Sequence, residues 1–238
     1  MPSTLNIFTV CDKAYEDFIP LFILSNLTHV SDSIVEICVL DRERVEKTEA
    51  IKYVRKLFPN RIFIREIEFV HADKARFMTE VQNKTEYVYI SDIDIITLRS
   101  DILKIHIDEM EISKLPYSNG VRKGTKRMTG LHFTKFDSYY PIGSYKFKKK
   151  YSDEELLYAI VKERNIGMPK RFFRPIFGIH MSPNRCALNE VGWEIAKYKK
   201  EWKVFRELEQ YKKLVPLLSG RIQNNLLLVD FIINGNLL

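Results

Sequence analysis

Asp92 and Asp94 stand two residues apart, just after the apolar run Tyr-Val-Tyr-Ile (87–90) and just before Ile95 and Ile96. On an extended backbone, residues two apart point to the same side and lie about 6.6 Å apart at Cα. Two acids so placed can converge on one hard divalent cation and leave room for water and phosphate oxygens. Beside a buried strand their repulsion is costly unless a cation relieves it. The alternative is two solvated acids at a strand's exit. Asp12 follows another apolar run, 5–10, and Asp41 a third, 34–40.

The elements that must position these acids alternate. Residues 5–10, 34–40, 61–67 and 87–98 read as strands; the run 87–90 is aromatic and β-branched enough to be buried on both faces, whereas 61–67 alternates. Helices are expected between them: from about Pro20 to Leu27, from about Arg44 to Phe58, and from an N-cap at Asp73 to Val81. Strand–helix alternation predicts an α/β fold with a mostly parallel twisted sheet, in which ligands bind beyond the carboxyl ends of strands. Residues 114–127 hold Gly120, Gly124 and five basic side chains; they read as a solvated loop or as a phosphate cradle. A strand is expected at 128–134 and an amphipathic helix from Asp153, with acids in its first turn. From Ala187 onward the pattern is helical, over 190–214 and again in the apolar segment 226–233.

The 238 residues can bury one substantial core, with a helical appendage. Cys11, Cys38 and Cys186 are odd in number and widely spread, which fits reduced thiols in a cytosolic protein. A cytoplasmic location is expected, because no apolar stretch reaches membrane-spanning length and the first residues lack a secretory pattern. A net charge of +7 suits an anionic ligand, nucleic acid or an anionic membrane surface equally. The basic residues are mixed with acids along the chain, which argues against nucleic acid. The basic face of 190–214 serves either as a solvated face of helices packed on the main domain or as a peripheral membrane contact.

Several motifs stand in a familiar order. Val-Cys-Asp-Lys-Ala-Tyr (10–15) before a Pro-started helix, Lys-Ala-Arg-Phe-Met (74–78), the acidic strand 87–98, Thr-Gly-Leu-His-Phe (129–133), Ser-Asp-Glu-Glu-Leu-Leu (152–157) and a late His180 follow one another. Together they resemble the metal-dependent sugar-nucleotide transferases of GT-A fold, most closely family eight, the glycogenin and lipooligosaccharide galactosyltransferase group. The resemblance covers roughly residues 5–185. It implies a GT-A catalytic domain over 1–185 and a helical extension over 186–238, the latter reading equally as a chain end or as part of a longer protein.

The resemblance also implies a function: transfer of a sugar from a UDP-sugar donor to a hydroxyl of a glycan or glycoconjugate. Asp12 and Tyr15 would hold the uridine, with Tyr15 stacked on the base. Asp92, Asp94 and His180 would bind Mn²⁺ or Mg²⁺ bridging the diphosphate. Arg76 would contact the donor, Arg185 the diphosphate, and Asp153 or Glu154 would lie at the sugar's reacting carbon. The chemistry asks for such groups, since a nucleoside diphosphate leaves readily only when its developing charge is neutralised. The chain departs from the family after His180, where Met-Ser-Pro-Asn-Arg (181–185) replaces Gly and then Lys-Pro-Trp. It also lacks the asparagine in the strand at 129–133, and Glu154 replaces a glutamine. A sugar-nucleotide nucleotidyltransferase is the competing enzyme reading, but 11–18 contains no glycine with which to wrap a phosphate.

Overall fold

The computed structural model describes residues 4–143, 151–174, 177–181 and 195–234. The chain begins with β1 (Leu5–Cys11), α1 (Ile19–His29), β2 (Ser33–Val39), α2 (Arg42–Glu46), α3 (Glu49–Leu57), β3 (Ile62–Glu66), α4 (Ala72–Met78) and β4 (Tyr87–Ile90). It continues through β5 (Ile95–Thr97), α5 (Ile102–Ser113), β6 (Tyr117–Ser118), β7 (His132–Lys135), α6 (Phe136–Tyr139), α7 (Asp153–Glu163) and β8 (Gly178–His180). The last helices described are α8 (Lys199–Glu207), α9 (Glu209–Leu214) and α10 (Gly220–Ile233).

Six strands form one sheet in the order β3-β2-β1-β4-β7-β6. The first four run parallel to one another, β7 runs antiparallel to β4, and β6 runs antiparallel to β7. The mostly parallel α/β fold expected from the strand–helix alternation is therefore present. β1, β2 and β4 are buried along their whole length because each lies between two cores, whereas β3, at the sheet's edge, alternates. Leu5 and Ile7 of β1 face α1, α3 and the C-terminal helices, whereas Phe8 and Val10 face α4 and α7. Glu36, wholly buried in β2, is held by Arg65 at 2.9 Å and by the backbone N–H groups of Gln82 and Asn83. That charge fixes the turn entering β4 and lies outside the cavity described below.

Several expected boundaries move. The stretch 87–98 is two strands: β4 belongs to the main sheet, and β5 pairs with β8 in a separate two-stranded sheet. The helix expected from Arg44 to Phe58 is two, because Asp41 caps α2 through Arg44 N–H (2.9 Å) and Thr48 caps α3 through Ile51 N–H (3.3 Å). Asp41 is thereby a capping residue. The N-cap of α4 is His71, so Asp73 falls in the first turn, and the helix ends at Met78. The strand expected at 128–134 is confined to β7, with Met128 only bridged to Val121. Residues 195–214 break at Leu208, whose extended backbone separates α8 from α9.

Trp202, Phe205, Tyr211 and Leu214 are buried in the same core as β1 and α1. Asp230 of α10 binds both Trp202 Nε1 (2.7 Å) and Arg206 (2.8 Å). Lys199, Lys200 and Lys203 stay exposed on α8. Among the described residues no helix is long and apolar enough to cross a membrane. Cys11 and Cys38 are buried free thiols; burial raises both pKa values, that of Cys38 to about 12.

Candidate functional site

At the carboxyl end of β1 the chain turns through Asp12, whose Oδ1 accepts from Ala14 N–H (3.0 Å) and whose carbonyl accepts from Tyr15 N–H (3.0 Å). This compact turn sends the Tyr15 ring outward. The ring is 42% exposed and lies against Phe18, with centroids 5.8 Å apart. An aromatic face held in place yet open on one side is what a stacking base needs.

The neighbouring strand, β4, stops after Ser91, whose N–H still reaches Phe8 O at 3.0 Å. Residues 93 and 94 form a turn, so the extended geometry expected of Asp92 and Asp94 is absent. The two acids go different ways. Asp92 pairs with Arg76. Asp94 approaches His180, Oδ2 to Nδ1 3.5 Å, and its carbonyl accepts from Met181 N–H at 2.7 Å. The β5–β8 ladder makes this meeting possible, since Ile95 opposes His180 and Thr97 opposes Gly178. Gly178 is needed there: a Cβ would lie 1.7 Å from Ile96 O.

Arg76 is the centre of the site. Its side chain is 6% exposed, reaches Asp92 through one terminal nitrogen, and reaches Asp153 Oδ2 through the other at 2.9 Å. Burial pushes its pKa down, and Asp153 pulls it back up. Its Nε has no hydrogen-bond partner among the described residues. An orphaned buried donor of this kind marks a place for an acceptor atom that the chain does not supply. Gly130 leaves room for the reach to Asp153, since a Cβ there would crowd Arg76 Nη2 at 3.0 Å. Pairing of Arg76 with Glu80 one turn away, the local alternative, is not the arrangement found; Glu80 instead accepts from Ile142 N–H.

Asp153 opens α7 behind Ser152, which forms a capping box with Glu155. Glu154 is engaged differently from Asp153. Both of its carboxylate oxygens are taken, by Arg122 (2.8 and 2.5 Å) and by Arg127 (3.0 Å). The ion pair with Glu154 raises the Arg122 pKa.

A cavity of about 500 Å³ gathers these groups. Asp12, Tyr15, Arg76, Asp92, Asp94, Asp153, Glu154 and His180 all line it; Arg185 lies outside the described residues. Sequence reasoning missed Gly130, Arg122, Arg127 and Arg174 as lining residues. Only the arginines of the basic stretch 114–127 gave a signal. Six carboxylates face four guanidiniums, so the lining carries excess negative charge before any ligand enters. Two carboxylates and an imidazole suit Mn²⁺ or Mg²⁺ in kind. They are not drawn together: among the described residues no three Asp, Glu, His or Cys side chains form a metal-binding group, Asp92 being turned to Arg76.

No protein-family model and no curated protein matches the chain. Solved structures do resemble it. A mannosyltransferase, PcManGT from Pyrobaculum calidifontis, in complex with GDP-Man and Mn²⁺, aligns with TM-score 0.52 and 11% identity over 96% of this chain and 73% of that one. An active-site variant of LgtC aligns with TM-score 0.52 and 13% identity over 93% and 99%. The fold is GT-A-like. A weaker likeness, TM-score 0.48 at 10% identity, is to a 4-diphosphocytidyl-2C-methyl-D-erythritol synthase from Anaerococcus prevotii, over 76% of this chain and 92% of that one. At these identities the likeness establishes the fold and leaves activity to the site.

Proposed function

We propose that the protein is a metal-dependent glycosyltransferase that moves a sugar from a UDP-sugar to an acceptor hydroxyl. One observation carries this: a single cavity at the carboxyl ends of β1 and β4 joins an open aromatic ring, an acid-rich floor and a buried, incompletely bonded arginine. In a fold of this class that is where a nucleotide binds. A net-negative floor repels a diphosphate unless a cation accompanies it, which favours a donor bound together with Mn²⁺.

In this reading Asp12 and Tyr15 take the uridine. Asp94 and His180, with Asp92 once it turns from Arg76, would hold the cation, whose chemistry would be charge neutralisation at the leaving diphosphate. Arg76, with its free Nε, lies between the diphosphate and the sugar. Asp153, fixed by Arg76, faces the sugar's reacting carbon, where it stabilises positive charge or accepts the acceptor's proton. Glu154, both oxygens committed to arginines, is a positioning residue. Thermal unfolding with UDP, GDP or CDP, each with Mn²⁺ or with EDTA, tests the proposal. At 100 times its Kd a ligand adds about 2.7 kcal/mol to native-state stability. Stabilisation by UDP that needs Mn²⁺ and vanishes in Asp94→Asn is expected; equal stabilisation in EDTA would refute the metal-bridged donor. A donor panel scored for slow hydrolysis then names the sugar.

A further inference from the structure

The basic stretch after β6 is an anchored hairpin. Val121 bridges Met128, Arg122 N–H donates to Arg127 O at 2.9 Å, and Thr125 N–H donates to Arg122 O at 3.0 Å around Gly124 (φ +72°). Its base is tied by Asn119, whose Oδ1 accepts from Gly120 N–H (2.6 Å), Thr129 N–H (3.2 Å) and Thr129 Oγ1–H (2.6 Å). Met128 N–H reaches Glu154 O at 3.1 Å. A loop that only carried charge into water would need none of these ties.

The hairpin holds Arg122, Lys123, Lys126 and Arg127 against one carboxylate, Glu154, and so remains strongly positive. Two N–H donors of Arg122 and one of Arg127 point at Glu154. Each guanidinium has five, so donors remain for a second anion. Both arginines line the cavity and both are partly exposed, 38% and 47%. They sit on the α7 side, past Asp153, whereas the groups assigned to the nucleotide and cation sit at the ends of β1 and β4. Beyond the reacting carbon, the next molecule is the acceptor.

We propose that the hairpin at 121–128 binds a phosphate or carboxylate carried by the acceptor, so that the enzyme selects negatively charged acceptors. This rests on the transferase reading above. The test is isothermal titration of the full chain, first with UDP and Mn²⁺, then, once saturated, with glucose 6-phosphate, glucuronate, glucose or inorganic phosphate. One of the charged sugars should bind at least tenfold more tightly than glucose, and which one does so separates phosphate from carboxylate. Arg122→Gln with Arg127→Gln should remove that preference while UDP affinity stays within twofold; the double Lys variant should keep most of it. Arg127→Gln alone, at an exposed position that the fold tolerates, should lose part of it.

Charged sugars that bind no better than glucose, or that are indifferent to the double Gln variant, would overturn the proposal. A parallel fall in UDP affinity would overturn it too, by giving the hairpin to the donor's diphosphate. Wild-type protein that binds none of UDP, GDP and CDP overturns the transferase reading instead. The same sugar titrations without nucleotide then show whether the hairpin binds anions at all.

Discussion

The cavity has two charged walls built in opposite ways. On the floor, Arg76, Asp94 and His180 are buried; the β5–β8 ladder brings Asp94 and His180 together, and Arg76 is held by Asp92 and Asp153. On the hairpin, Arg122 and Arg127 are partly exposed and share one carboxylate. Breaking a buried ion pair typically costs about 3–5 kcal/mol, whereas an exposed pair contributes about 0.2–1 kcal/mol. The floor can therefore hold a geometry before its ligand arrives, and the hairpin can adjust to one. A reaction needs the first property at the bond that breaks and the second where partners vary.

The largest effect should come from the floor. Asp92→Asn and Asp94→Asn should each lower turnover about 100- to 1,000-fold, the loss typical of removing one group that stabilises developing charge. Each should also abolish the Mn²⁺-dependent part of UDP stabilisation in thermal unfolding. A variant with normal turnover would break the contrast between the walls at once.

Acid should weaken the hairpin's base next. Asn119 Oδ1 accepts three bonds, so its Nδ2 donates to Thr129 O (3.1 Å) and to His132 Nδ1 (3.2 Å). His132 must then be neutral, with its proton on Nε2. Burial pushes the pKa values of His132 and His106 down to about 3. The native state thus binds fewer protons than the unfolded chain between about pH 6.5 and 3. Stability is full above that window and falls as pH drops through it, by up to about 1.4 kcal/mol per pH unit for each histidine. Urea unfolding between pH 7.5 and 5 should show the slope, to which His29, also lowered by burial, adds, and His132→Gln should reduce it.

Gly130→Ala probes the floor's packing without removing charge. It should cost about 1–3 kcal/mol of stability by crowding Arg76, and should lower turnover more than UDP affinity. Normal kinetics would show that Arg76 accommodates a Cβ at position 130 without loss of function. The smallest effect is expected from Glu154→Gln, about 1 kcal/mol by urea unfolding, because its partners are solvent-screened. Its clearer signature should be faster trypsin cleavage within 122–127. Unchanged cleavage would mean that Asn119 alone holds the hairpin.

Much of this was legible beforehand, for local reasons. Runs such as 5–10 and 34–40 become strands because apolar side chains alternate into two cores. Asp12 sits in the turn because Asx side chains bond their own backbone two residues on. Tyr15, Arg76, Asp153 and His180 were named as site residues only through the resemblance to GT-A transferases, and all line the cavity. The break at 91–94 was not legible, since Ile-Asp-Ile-Ile reads as one strand whichever sheet its halves join. Its cause is β8, whose residues lie 81 to 85 positions beyond their partners in β5, and the antiparallel ladder that sets His180 opposite Ile95. Likewise, nothing near Arg76 says that it will choose Asp92 and Asp153 over Glu80, or that Gly130 will stand against its guanidinium. Side-chain type and local spacing determined which groups are available. Strand pairing and close packing across the cavity decided which of them meet, because those energies depend on neighbours that the local sequence does not contain.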